Sequence, residues 1–185
     1  FGRATGIDLP DEIPGIVPSR IWKAFVKGEL WYEGETLNFS IGQGALAVTP
    51  IQIVRMISAI ANNGEMVQPY LVKKIGIVDI RQAKTKSLNF SPLTIDAIKE
   101  GLKKVVQEEG TGKRANVEGL SIAGKTSTAQ AGVGKISHGW FAGFAPFDDP
   151  KLAVVVFLEH GGKGGLNPAQ IAGEIFKEAK KDNLL

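Results

Sequence analysis

The stretch EGLSIAGKTSTAQ, residues 118–130, decides how this chain is read. Gly119, four residues, then Gly124-Lys125-Thr126 match the phosphate-loop pattern G-x-x-x-x-G-K-[ST] letter for letter. The same letters can instead be an extended strand whose small residues line an open edge. A phosphate loop needs a buried strand before it and a helix after it, so that loop and helix N–H groups hold the phosphates. The preceding segment, KRANVE (113–118), is too polar for a buried strand, and STAQAGVGKIS (127–137), with two glycines, is a poor helix. The loop interior, Leu120 to Ala123, is apolar where such loops are small and flexible. LAVVVFLE (152–159) could serve as the strand ending in a magnesium-holding acid. Yet only about sixty residues follow the loop, which is little room for a doubly wound nucleotide domain.

Read as a strand, Leu120–Ala131 presents Thr126, Ser127, Thr128 and Ala129 in succession. Such small side chains let a second backbone approach and pair along the edge. Lys125 adds a positive charge, and Thr126 and Thr128 add hydroxyls, a set suited to a substrate ending in a carboxylate. Taken alone, these residues equally describe a polar edge strand with a solvated lysine.

The surroundings favour a folded α+β domain. The chain has 185 residues, 43% hydrophobic and 22% charged, enough to bury a core in one domain. Net charge is +3, with basic residues scattered, which argues against a nucleic-acid partner. There is no cysteine, so disulfides, thiolate metal sites and a Cys nucleophile are excluded. The longest apolar run, Leu152–Leu158, is far below the ~20 residues of a membrane span. The opening words FGRATGIDLP (1–10) read as mid-domain text, so the expectation is a piece of a longer protein, with any signal or anchor outside it.

Residues 1–48 are rich in Gly and Pro and suggest an ordered irregular region with short helices. Thr49-Pro50-Ile51-Gln52 predicts a capped helix start, with Ile53, Met56, Ile57 and Ile60 at helical spacing and Asn62-Asn63-Gly64 as its stop. Residues 68–78 suggest a short strand pair or an extended segment. Ser91-Pro92 predicts a second helix running to Gly110, followed by a polar loop over 110–119. Trp140–Ala145 and Leu152–Glu159 predict a hairpin, and Asn167-Pro168 the cap of a last helix with Ile171, Ile175, Phe176 and Ala179 on one face. Strands with short connections favour antiparallel pairing, so the predicted fold is an antiparallel sheet packed by helices.

Seven phrases in order carry a family resemblance: TGIDLP (5–10), WYEGETLNFSIGQGALAVTPIQ (31–52), NNGEMVQPYLV (62–72), GTGKRA (110–115), IAGKTSTAQ (122–130), HGWFAGFAP (138–146) and LAVVVFLEHGGKGG (152–165). Together they resemble the C-terminal half of the transpeptidase domain of class B penicillin-binding proteins, most like the elongation-type penicillin-binding protein 2 group. The resemblance implies a partial fold of the serine β-lactamase-like type. It also implies a parent enzyme that cross-links peptidoglycan stem peptides ending in D-Ala-D-Ala, forms a serine acyl-enzyme and is blocked by β-lactams. No cofactor is implied. The implied location is the extracytoplasmic face of a bacterial inner membrane, among cell-wall elongation membrane proteins.

Carried onto this sequence, the Lys-Thr-Gly strand of the family falls on Lys125-Thr126-Ser127. Lys125 would set the electrostatics around the nucleophile and the substrate carboxylate. Thr126 and Thr128 would bind that carboxylate, and the Thr128 N–H would be half of the oxyanion hole. His138 and Trp140 would shape the cleft; alone, His138 reads as a structural histidine. Gly42-Gln43-Gly44 would supply packing below the cleft. Ser127 departs from the family glycine and would crowd a passing substrate backbone.

The family's nucleophile motif S-x-x-K is absent. None of Ser19, Ser40, Ser58, Ser87, Ser91, Ser121, Ser127 or Ser137 has Lys three positions later. The one S-x-N, Ser87-Leu88-Asn89, is out of family order and reads as a turn. Residues 1–185 are therefore expected to be the C-terminal part of one transpeptidase domain, inactive alone, with a sheet edge left open to self-association. The competing readings are a non-catalytic penicillin-sensor or peptide-binding module of the same fold and, more distantly, a nucleotide hydrolase.

Overall fold

The computed structural model describes residues 1–80 and 84–185. The first third is irregular, as its composition predicts, but carries two short helices, α1 (Arg20–Lys27) and α2 (Glu33–Ser40). Ser19 caps α1 by accepting from the Trp22 N–H. Between the helices Lys23 is buried and donates to Glu35 at 2.7 Å, with Glu29 at 3.3 Å. A buried ammonium is tolerable here because carboxylates surround it. Burial works against its charge, but the two carboxylates outweigh burial and its pKa is raised.

Helix α3 (Pro50–Ala61) begins as the sequence predicts: Thr49 accepts from the Gln52 N–H, and the Gln52 side chain accepts from the Thr49 N–H. Gln52 does more than cap. Its buried amide also donates to the carbonyls of Arg3 and Pro14, tying the irregular N-terminal segment to the helix. Asp8 fixes the same segment from another side, accepting from the N–H groups of Leu71 and Val72.

Strands β1 (Glu65–Val67), β2 (Lys74–Ile75), β3 (Val78–Asp79) and β4 (Thr85–Ser87) form two small antiparallel pairs, β1 with β4 and β2 with β3. The short strand pair expected over 68–78 is the β2–β3 pair, which begins at Lys74 and ends one residue beyond that range at Asp79; residues 68–73 form no strand. Ser87 ends β4 and the Leu88 N–H bonds the Gly64 carbonyl, so Ser87-Leu88-Asn89 is the end of a strand where the sequence suggests a turn; the chain bends only at Asn89, at φ +53, whose N–H reaches the Ser87 hydroxyl.

Helix α4 (Pro92–Val106) starts at the Ser91 cap but ends four residues before Gly110. Gln107 is extended, and the chain folds back so that the Gly112 N–H reaches the Val105 carbonyl. A single 3-10 turn, Lys113–Ala115, lies in the polar loop.

Strands β5 (Ala123–Ala129), β6 (His138–Ala145) and β7 (Leu152–Leu158) then form an antiparallel sheet in that order. The last helix, α5 (Asn167–Lys181), starts at Asn167, but no side chain caps it; Pro168 in its first turn supplies the start signal. The sheet carries helices on both faces, so β6 is buried almost throughout. Phe141, Ala145, Val154 and Val156 pack with Ala169, Ala172 and Phe176 of α5. Ala142 and Phe144 point the other way, to Ile57 and Ala61 of α3 and to Phe147. Of the predicted α5 stripe, Phe176 and Ala179 are buried, while Ile175 stays 41% exposed.

Candidate functional site

The phosphate-loop pattern is broken by its own geometry. Lys125 and Thr126 lie inside a seven-residue strand, and the next element is another strand, not a helix. Gly124 is glycine for packing: a Cβ there would sit 2.5 Å from the Phe141 ring. Gly119, at φ +67, belongs to the turn that brings Leu120 back to bridge Val117.

Strand β5 pairs with β6 on one side only. The register is Lys125 opposite Ala142, Thr126 opposite Phe141, Ser127 opposite Trp140, Thr128 opposite Gly139 and Ala129 opposite His138. Along a strand, the backbone groups of successive residues point to opposite sides in the sheet plane. The Thr128 carbonyl accepts from Gln43 Nε2 at 3.1 Å, so it points away from β6. The Thr128 N–H points the same way, as do the N–H and carbonyl of Thr126. The Thr126 carbonyl is held by Lys125 Nζ at 2.6 Å. Among the described residues, no hydrogen bond takes the outward N–H of Thr128. The outer edge therefore offers an ammonium and a free backbone donor side by side.

Side chains alternate across the same strand. Ala123 belongs to the α3-side core, which places Lys125 and Ser127 on that face, both exposed. Trp140, across from Ser127, is half-buried and packs on Phe157 at 4.3 Å between ring centroids. Thr126 and Thr128 face the other way. The Thr126 hydroxyl is buried and meets Thr111 Oγ1 at 3.0 Å. Thr128 is exposed, and its Oγ1 accepts from the Gly164 N–H at 3.3 Å. Of these two threonines on one face, Thr126 is buried against Thr111 and Thr128 is exposed.

His138 starts β6. Its Nδ1 accepts from the His160 N–H at 3.1 Å, and the His160 ring bonds the Ile136 carbonyl at 2.8 Å. With the Gly162 N–H on the Ser137 carbonyl at 2.9 Å, these bonds hold the loop after β7 against the start of β6. That loop continues across the β5–β6 backbone, where a Cβ on Gly164 would lie 2.2 Å from the Ser127 carbonyl. The glycines of HGGKGG thus permit close backbone approach.

Gln43, expected only to pack below the cleft, instead bonds the β5 backbone directly, a role that sequence reasoning missed. It is flanked by Gly42 and Gly44 at φ +74 and +78, a tight turn that aims its side chain at β5. The signal was the Gly-Gln-Gly phrase itself: two glycines that position one amide. No group of metal-ligating side chains occurs among the described residues.

Comparison with known proteins gives a consistent result. The family model for the penicillin binding protein transpeptidase domain matches residues 1–179. The chain is 36% identical over 195 residues to the peptidoglycan D,D-transpeptidase MrdA of Acinetobacter baumannii, covering 95% of this chain and 29% of that protein. It is also 36% identical to the stage V sporulation protein D of Bacillus subtilis, over 97% of this chain and 28% of that one. The chain thus spans under a third of these relatives' length. Among solved structures, Pseudomonas aeruginosa PBP2 in complex with WCK 5153 superposes with TM-score 0.86 and 34% identity, covering 96% of this chain and 41% of that one. PBP2 of Helicobacter pylori in complex with MreC gives TM-score 0.86 and 30% identity, covering all of this chain and 34% of that one.

Proposed function

The chain belongs to the penicillin-binding protein transpeptidase-domain family, and we propose that it is the C-terminal part of a peptidoglycan D,D-transpeptidase domain. The observation that supports this most is the outer edge of β5, where Lys125 Nζ reaches the outward Thr126 carbonyl and the next outward donor, the Thr128 N–H, is free on an exposed residue.

A stem peptide ending in D-Ala-D-Ala lies in extended form against this edge, where the Thr128 N–H is the free backbone group. Lys125 and the Thr128 hydroxyl receive its terminal carboxylate, an ammonium and a donor matched to an anion. Thr126, bonded to Thr111, holds the strand from beneath. A serine supplied by another part of the parent attacks the penultimate D-Ala carbonyl. The oxygen of the tetrahedral intermediate takes the Thr128 N–H as one of its donors. The terminal D-Ala leaves with a proton, and the acyl-enzyme ester passes its peptide to an acceptor amine, forming the cross-link and freeing the serine. A β-lactam enters the same position and stops at the ester. Ser127, Trp140 and His138 bound the cleft on the α3 side and at its end. The parent acts at the outer face of a bacterial inner membrane with cell-wall elongation proteins; no helix among the described residues is long and apolar enough to cross a membrane.

Reading the coding DNA around this chain tests the assignment. The transpeptidase reading requires S-x-x-K and then S-x-N or S-x-D before TGIDLP. If the serine and lysine are replaced, the same edge is a peptide clamp without chemistry, as in a sensor module.

A further inference from the structure

Resting on the transpeptidase reading, we infer that Gln43 is a positioning residue for the Thr128 oxyanion donor. The outward groups that follow the donor along β5 are the Thr128 carbonyl and the Gln130 N–H. Gln43 takes both: Nε2 donates to Thr128 O at 3.1 Å and Oε1 accepts from Gln130 N at 3.4 Å. A side-chain amide carries the same donor and acceptor as a peptide group. Bonding the carbonyl of one residue and the N–H two residues on is what one residue of a parallel neighbouring strand does. Gln43 therefore extends the sheet by one peptide-like unit on its open side.

The place matters because strand ends fray. Strand β5 ends at Ala129, the last residue in register with β6, one residue beyond the donor. On the inner side β6 holds the strand. On the outer side no strand does so among the described residues, and Gln43 is what keeps the last two residues extended. It is anchored 85 residues away in sequence, in a turn fixed by its two left-handed glycines and by its own N–H on the Asn38 carbonyl at 2.9 Å. A donor in an oxyanion hole works only if aimed in advance at where charge develops. Gln43 aims it without touching the substrate carbonyl.

The test uses the full-length protein that carries this chain, with benzylpenicillin as probe. Gln43→Met removes both bonds at similar size. Gln43→Glu keeps the acceptor for the Gln130 N–H but cannot donate to Thr128 O. Both variants are expected to lower the acylation rate constant roughly 10- to 100-fold, the scale of a misplaced donor, with the non-covalent dissociation constant within about threefold of wild type. The ester carbonyl stretch of the penicilloyl-enzyme should move to higher wavenumber, since a poorly aimed donor polarises it less. A rate within twofold of wild type in folded Gln43→Glu, with an unshifted carbonyl, overturns the inference while leaving the transpeptidase reading intact. If the wild-type protein itself forms no adduct, both fail.

Discussion

Ser127 stands where the family strand has glycine, and the structure puts its side chain on the exposed face with Lys125, opposite Trp140. A hydroxymethyl group there narrows the path of an incoming backbone. Ser127→Gly in the full-length protein should speed penicillin acylation, roughly fivefold for about 1 kcal/mol of relieved crowding. A slower variant in stopped-flow acylation would show that the serine helps and does not hinder. Lys125→Ala should slow the same reaction on the order of 100-fold. Lys125→Arg should not restore it, because a planar fork cannot take the place of a compact ammonium. Full activity of Lys125→Arg would argue that charge alone matters. At this scale the strand was legible from sequence because small residues and a lysine in succession state their chemistry locally. The burial of Thr126 and the reach of Gln43 were not: both depend on partners, Thr111 and Thr128, that only the folded chain brings close.

The elements divide into those set by local chemistry and those set by contact. The caps at Thr49 and Ser91 could be read directly, since a hydroxyl, a proline and a well-spaced amide satisfy the first N–H groups of a helix without distant help. The end of α4 could not, because Gln107 leaves the helix to let Gly112 return to Val105. The β1–β4 pairing joins residues about twenty apart, and the local turn signal between them, Gly76 at φ +59, serves the β2–β3 pair instead. The irregular first third depends on carboxylates instead of apolar packing. Asp8 is held below its usual value by the Val72 and Leu71 N–H groups, Glu12 by Thr5, and Glu35 by Lys23 and the Tyr32 N–H. A carboxylate with a lowered folded pKa stabilises fully above its ordinary range, and that stability is lost as pH falls through the lowered value. Acid should therefore loosen this region before the sheet. Trp22 and Trp31 fluorescence should change at a higher pH than far-ultraviolet dichroism of the whole chain. A single coincident acid transition would contradict this. Glu35→Gln should weaken the first transition's pH dependence.

Across the whole molecule, the sheet joins two cores, one under α5 and one under α3. Phe176 is fully buried, and Phe176→Ala should cost ~3–5 kcal/mol in the full-length protein, read from denaturant midpoints. Far from these cores the surface is apolar: Ile21, Phe25, Leu30, Leu37 and Ile41 are each more than two-thirds exposed. Strand β7 also pairs on one side only. A chain of these 185 residues produced alone should self-associate through such surfaces. A monomer by light scattering at high concentration would contradict that. The fold class was legible because antiparallel strands with short connections and capped helices leave few arrangements. The exposed apolar faces were not, since periodicity reports which residues are apolar and not what covers them.

The measurement that bears most directly on the central claim, that this chain is one wall of a serine transpeptidase site, is intact mass after incubation with benzylpenicillin. The full-length protein should gain one penicilloyl group, mapping by peptide fragmentation to a serine outside residues 1–185, and the isolated chain should gain none. A stoichiometric adduct on any serine of the isolated chain, or none on the full-length protein, would contradict the account.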